Sequence, residues 1–395
     1  MTELPTLPFD RPNVLSLAPR MRELQAEAPI TKVRTATGDE AWLVTRYDEV
    51  KALFADPRLG RSHPKPEEAA RISESALLGG AKDGYETEDV DHNAMRSRLV
   101  PRFSPRRMRL LKPQVEQMVD DLLDKLAGET PPADLHESLA FPLPVLVICE
   151  LLGVPFEDRG HFRALSTGMA DLHDHQKSMA AMGALRGYVR ELVARKRVEP
   201  GNDVLTELTQ IEDGSISDDV IAELGAAVLF AGHETTVGRI DLGTILLLAN
   251  PDQLELLRSD PSVVPSAVEE ILRLSVGADN GGMPRYARSE IEVGGVRIGT
   301  GDAVLLSIGS ANQDETVFPE PERLDTGREH LTSHMSFGHG ARYCIGAVLA
   351  RIELTAVFER LFTRIPTLRL AVPVSELKWR SHLLTGGFAE VPVTW

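Results

Sequence analysis

Apolar residues recur at a period of three to four along most of this chain, the spacing of amphipathic helices. The longest such stretches are 113–127, 143–153, 182–196, 263–275 and 345–362. Period-two alternation is short and confined to three places. Residues 30–46 alternate around Trp42 and Val44, with Gly38-Asp39 as a turn signal. Residues 290–306 contain Ile-Glu-Val-Gly-Gly-Val-Arg-Ile, a hairpin with Gly294-Gly295 at its turn. Residues 378–394 read as a further extended pair around Gly386-Gly387. One helix is predicted to be apolar on most sides. Ser217 is its N-cap, Asp218 and Asp219 fill its first turn, and Asn250-Pro251 stops it. At its centre stands Gly232-His233-Glu234-Thr235-Thr236. A Gly followed by polar side chains inside a buried helix is a local conflict, and such conflicts mark functional sites.

With 395 residues, 42% of them hydrophobic, the chain can bury a large core. It contains no linker, repeat or low-complexity block, so a single domain over 1–395 is expected, mainly α with small β-sheets. The N-terminus lacks a basic flank followed by an apolar run, and no stretch reads as long and apolar enough to span a bilayer. Two cysteines, Cys149 and Cys344, make no disulfide framework. A cytoplasmic protein without a membrane association is therefore expected. The net charge of -16 disfavours nucleic acid as a partner. One segment breaks the acidic pattern. Arg96, Arg98, Arg102, Arg106, Arg107, Arg109 and Lys112 follow one another with no acid between them; taken alone this reads as a solvated basic face, and its functional reading is a docking patch for an acidic partner or an anionic cofactor.

The sharpest chemical signal is Phe337-Gly338-His339-Gly340-Ala341-Arg342-Tyr343-Cys344-Ile345-Gly346. Two glycines allow a tight turn beside something flat and bulky. Cys344 precedes the helix continuing through Val348, Leu349 and Ile352. The free N–H groups and dipole of a helix start lower a thiol pKa. Gly346 leaves room next to the sulfur. A lone cysteine is most often a small buried hydrophobe, the reading that suits Cys149. It does not explain the spacing of this decapeptide, which resembles the haem-binding loop of cytochrome P450 enzymes. Arg342 departs from the family, where His is common.

The resemblance runs from about residue 30 to the C-terminus and implies a P450-like fold with haem b held by Cys344 as its thiolate and metal ligand. Ala231-Gly232-His233-Glu234-Thr235-Thr236 is similar to the oxygen-activation motif. That implies Thr235 hydrogen-bonding the oxygen under activation, Glu234 helping to supply protons, and Ala231 against the cofactor. A helical threonine can instead back-bond one turn earlier. Phe337, Gly338 and Gly346 are implied to contact the cofactor, and His92, Arg96, Arg285 and Arg342 to bind its propionates. Glu270 and Arg273, three apart on one helix face, are implied to form a buried structural group with Arg323. Leu324 stands where Phe is common in the family, and Gln313 where Arg is common. The substrate pocket is expected to draw on Phe230, Ala231, Asn280, Met283 and Leu384. His173-Asp174-His175 fits no helical zinc spacing and reads as a solvated loop.

What the resemblance implies is a monooxygenase inserting one atom of O2 into a sizeable organic substrate. A secondary metabolite such as a polyketide, macrolide or terpenoid is expected, which places the enzyme in antibiotic biosynthesis. Electrons would come from a ferredoxin and its ferredoxin reductase, since the chain carries no flavin or iron–sulfur pattern. The alternatives are an oxidative coupling or rearrangement enzyme, or a peroxygenase, of the same fold. A haem sensor or carrier without catalysis would not require the Glu234-Thr235 pair.

Overall fold

The apolar stretch between Ser217 and Asn250 folds as one unbroken helix of 32 residues, about 48 Å long at 1.5 Å per residue. The Ser217 hydroxyl accepts a hydrogen bond from the Val220 N–H, and Asp218 and Asp219 complement the helix dipole. By length and composition this helix would pass as a membrane span, contrary to the sequence expectation. It is instead a core element, with 67% of its most apolar window buried in protein.

The computed structural model describes residues 3–75, 79–169, 173–211, 216–275, 281–380 and 386–395. In chain order the helices are α1 (Pro19–Glu27), α2 (Tyr47–Ala55), α3 (Glu88–Leu99), α4 (Pro105–Ala127), α5 (Pro142–Leu152), α6 (Arg159–Met169) and α7 (His175–Val198). There follow α8 (Val204–Thr209), the long α9 (Asp218–Ala249), α10 (Pro251–Ser259), α11 (Val264–Leu274), α12 (Ile308–Ala311) and α13 (Ala347–Arg364). The five helices expected from periodicity correspond to α4, α5, α7, α11 and α13. The start of α4 lies eight residues earlier than expected, and Pro113 sits inside it. Helices α5, α7, α11 and α13 all pack on α9, so the main hydrophobic core forms around that helix.

The ten strands among the described residues are β1 (Ile30–Arg34), β2 (Glu40–Val44), β3 (Leu59–Gly60), β4 (Ala133–Asp134), β5 (Met283–Ala287), β6 (Ile291–Val293), β7 (Val296–Ile298), β8 (Ala303–Leu306), β9 (Arg369–Leu370) and β10 (Pro392–Thr394). Five form a sheet in the order β1-β2-β8-β5-β3. Within it β1 pairs with β2 through Ile30↔Val44, and β2 runs parallel to β8 through Trp42↔Val304. Two apolar clusters cover this sheet. The hairpin at Gly294-Gly295 forms as expected, both glycines at positive φ. The C-terminal pair is largely different from expectation. Trp379 and Phe388 make one isolated bridge, while β10 pairs with β4 and β9, which are distant in sequence.

Candidate active site

The segment before α13 is fixed by its own backbone and by three neighbours. The Cys344 N–H donates to the Phe337 carbonyl at 2.9 Å, and the Tyr343 N–H to that of Gly340 at 3.1 Å. Gly338 and Gly340 sit at φ 73 and 70, a region that disfavours side chains. A Cβ at Gly340 would lie 3.3 Å from the Phe54 carbonyl, so the loop packs directly on α2. Asn312 bonds both the Ser336 hydroxyl (2.8 Å) and the Met335 N–H (2.7 Å). Arg351 of α13 stacks over the Phe337 ring at 4.5 Å and grips Glu269 of α11 through two bonds of 2.6 and 2.8 Å. His334 lies 3.0 Å from the same carboxylate. Burial raises the Glu269 pKa, but Arg351 and His334 outweigh it and hold the group at about 2.

Cys344 is exposed, and its exposure is to an internal cavity. Helix α13 begins at Ala347, just beyond it. The expected low thiol pKa is not found. Burial pushes the Cys344 thiol up, and the Gly346 and Ala347 N–H groups, with Arg96 and Arg351, only partly oppose it. Coordination to a metal would deprotonate such a thiol outright. A Cβ at position 346 would lie 3.9 Å from the sulfur, an ordinary contact, so room beside the sulfur is not what demands Gly346.

The cavity has a volume of about 430 Å³. Its walls are Leu224, Ala227, Val228, Ala231, Gly232, Thr235, Thr236 and Arg239 of α9, Met95 and Leu99 of α3, Ile148 of α5, Leu272 of α11, and Phe103. The loop contributes Ser336, Phe337, Cys344, Ile345 and Gly346, and α13 contributes Leu349, Ala350, Glu353 and Leu354. Thr235 donates to the Ala231 carbonyl at 2.9 Å, the back-bonded arrangement, while facing the cavity. Gly232 permits α5 to approach, since a Cβ there would fall 2.8 Å from Ile148 Cδ1. Glu234 is not in the cavity wall. It is buried, with a carboxylate oxygen 3.6 Å from His233 Nδ1, and His233 packs edge-on against Phe141.

Cations gather beside the Cys344 loop. Arg96 donates to the Tyr343 carbonyl at 2.8 Å, tying α3 to the loop. Arg342 pairs with Glu88, which also accepts from Arg288 at 2.8 Å. Arg285 on β5 is 4% exposed and lies over the Phe54 ring at 5.4 Å. Burial, then Arg61 and Arg342, pull its pKa down to about 9. No carboxylate comes within ion-pair distance of it among the described residues. Burial and then Arg342 and Arg96 also lower His92. Arg61, which the sequence reading missed, joins this group, its pKa lowered by burial and then by Arg342. Its only sequence signal is its place in Leu59-Gly60-Arg61, where β3 ends.

Glu270 and Arg273 form the expected buried pair, with two bonds of 2.7 Å and no exposed side-chain surface. The third member is not Arg323. That guanidinium pairs with Glu320 at the surface at 3.0 Å and offers only its carbonyl to Arg273. Arg328 takes the place, its Nε 3.0 Å from Glu270. The turn at Asp325–Gly327 aims Arg328 inward. Of the expected pocket residues, Ala231 lines the cavity, whereas Phe230 is buried in the core and Met283 lies on β5; neither contributes to its wall. Asn280 and Leu384 fall outside the described residues. Asp174 caps α7 through the Lys177 N–H, and no cluster of metal-ligating side chains occurs among the described residues. Cys149 is fully buried in the core, as expected.

Residues 171–366 match the family model described as Cytochrome P450. The chain is 55% identical to pentalenolactone synthase of Streptomyces exfoliatus, over 100% of both chains. It is 37% identical to mycinamicin IV hydroxylase/epoxidase of Micromonospora griseorubida, over 98% of each. Among solved structures, a substrate-free polyene macrolide antibiotic pimaricin epoxidase superposes with a TM-score of 0.89 at 42% identity, covering 100% of both chains. A protein of the tailoring step of griseoviridin superposes with a TM-score of 0.92 at 35% identity, again over 100% of both.

Proposed function

This chain belongs to the cytochrome P450 family and is a P450 monooxygenase; from that premise we propose that it oxidises a sizeable secondary metabolite, holds haem b through Cys344 and takes electrons from a ferredoxin served by a ferredoxin reductase. The observation carrying this reading is that Cys344 and Thr235 face one cavity, from the loop before α13 and from α9.

The residues present fit a thiolate-bound haem. The cavity wall is mostly apolar, with one thiol opening into it. Arg285 is a buried cation without an ion-pair partner among the described residues, close to Arg61 and Arg342. It suits a propionate, and guanidinium is the better group for a carboxylate. His92, Arg96 and Arg342 would complete the propionate site, with Arg342 exchanging Glu88 for it. Phe337, Gly338, Ala231 and Gly346 would border the ring. Thiolate-ligated haem supplies the activation of O2, by which one oxygen atom enters the substrate and the other leaves as water.

The chain's own part is to bind, to exclude water and to handle protons. The apolar wall keeps bulk water away, which strengthens every polar contact inside. Thr235 Oγ1 both donates and accepts. While it donates to the Ala231 carbonyl it can accept a hydrogen bond from the cavity side, and by rotating it can donate one into the cavity. Glu234, buried one residue before and not a wall group, would help to supply protons. A cytoplasmic setting, where ferredoxins work, goes with this reading.

The substrate class follows from relatives named for pentalenolactone, mycinamicin and pimaricin. A polyketide, macrolide or terpenoid is the expected substrate. A spectral titration of the ferric protein against a metabolite library tests this. Displacement of iron-bound water by such metabolites is expected; displacement by small hydrocarbons alone would overturn it.

A further inference from the structure

Helix α9 places an ionisable group on the face that carries Thr235. Arg239 lies four residues further, one turn along the same side of the helix, and it lines the cavity together with Thr235 and Cys344. No carboxylate pairs with it among the described residues. Burial alone pulls its pKa down to about 10, so it stays cationic at neutral pH. Arg239 is half-buried, open to the cavity side of the helix; an unpaired cation in an apolar surrounding is costly to a fold, which makes a bare guanidinium in a ligand cavity a functional feature.

The acid in the same wall does not compensate it. Glu353 of α13 is 2% exposed, and its Oε2 has no hydrogen-bond partner. Burial drives its carboxyl well above the ordinary range, which favours its uncharged form. Arg239 is thus the cation of a largely apolar cavity wall, in a medium of low dielectric where a charge acts over a longer distance than in water.

We propose that Arg239 is an electrostatic residue of the redox step, a cation of the cavity wall that favours transfer of one electron from the ferredoxin to the ferric iron. This rests on the reading that haem occupies the cavity. Reduction adds one negative charge within the guanidinium's field, with no bond made or broken and no proton required.

The test is a spectroelectrochemical titration of the holoprotein, wild type against Arg239→Leu, Arg239→Lys and Glu353→Gln. Each protein is first checked for the carbon monoxide spectrum of thiolate-ligated haem. Arg239→Leu should shift the reduction equilibrium about tenfold toward the ferric form, about 59 mV lower for one electron. Arg239→Lys should keep most of the wild-type potential, and Glu353→Gln should leave it unchanged. If Arg239→Leu does not retain haem, Arg239→Gln should show the same fall. An unchanged potential in a neutral variant with an intact thiolate spectrum overturns the proposal. So does a rise in Glu353→Gln as large as the expected fall, which would mean that an ionised Glu353 already cancels Arg239. A wild type without the thiolate spectrum would instead remove the haem reading itself.

Discussion

The Thr235 hydroxyl bonds the Ala231 carbonyl and faces the cavity at once. Proton handling of this kind typically contributes factors of ~10²–10⁴. Thr235→Ala should therefore lower product formed per NADPH consumed by at least about tenfold, with the missing electrons appearing as peroxide and haem binding unchanged. Unaltered coupling, measured as product against NADPH, would leave the hydroxyl with only its helix bond. That Cys344 and Thr235 share one cavity agrees with the resemblance read from two motifs, each of ten residues or fewer. The low thiol pKa expected of a helix start was not found, because burial outweighs two N–H groups and two distant guanidiniums. The tie between Arg351 and Glu269 was not legible, since its partners lie 82 positions apart.

At the scale of elements, α11 is anchored to the chain before the thiolate loop by Glu270. Removing that carboxylate leaves Arg273 and Arg328 as buried cations without it. Glu270→Ala should therefore cost ~3–5 kcal/mol of stability, and Arg328→Ala a comparable amount. Arg323→Ala should change stability by about 0.5 kcal/mol or less, since its pair with Glu320 is at the surface. Chemical denaturation of the three variants checks the order; a large loss in Arg323→Ala alone would restore the sequence assignment. Arg323 and Arg328 occupy one loop, and only its turn decides which points inward. The ends of α9 were legible because Ser217 and Asn250-Pro251 are local stop signals. The start of α4 was hidden by Pro113, and the pairing of β10 by the distance to β4 and β9.

For the molecule as a whole, the mostly helical architecture was legible from periodicity, while the layout around the cavity came from the family resemblance. The basic segment is less free than its sequence suggests. Arg96 is engaged by Tyr343, and both Arg102 and Arg107 bind Glu207. Arg106 and Arg109 remain exposed, beside Leu110 at 72% exposure. Charge reversal at these two should slow reduction by a ferredoxin about tenfold at low salt and leave substrate binding intact. Reversal of Arg102 would also disturb its contact with α8, so it is the poorer probe. Stopped-flow reduction rates that do not change would remove this docking face. Both electron delivery and oxygen chemistry presuppose that one sulfur ligates the haem iron. The carbon monoxide difference spectrum of the reduced protein, wild type beside Cys344→Ala, measures that directly. Sulfur-ligated haem should give its characteristic band in the wild type and lose it in the variant; a wild type without the band, or a variant that keeps it, would contradict the account.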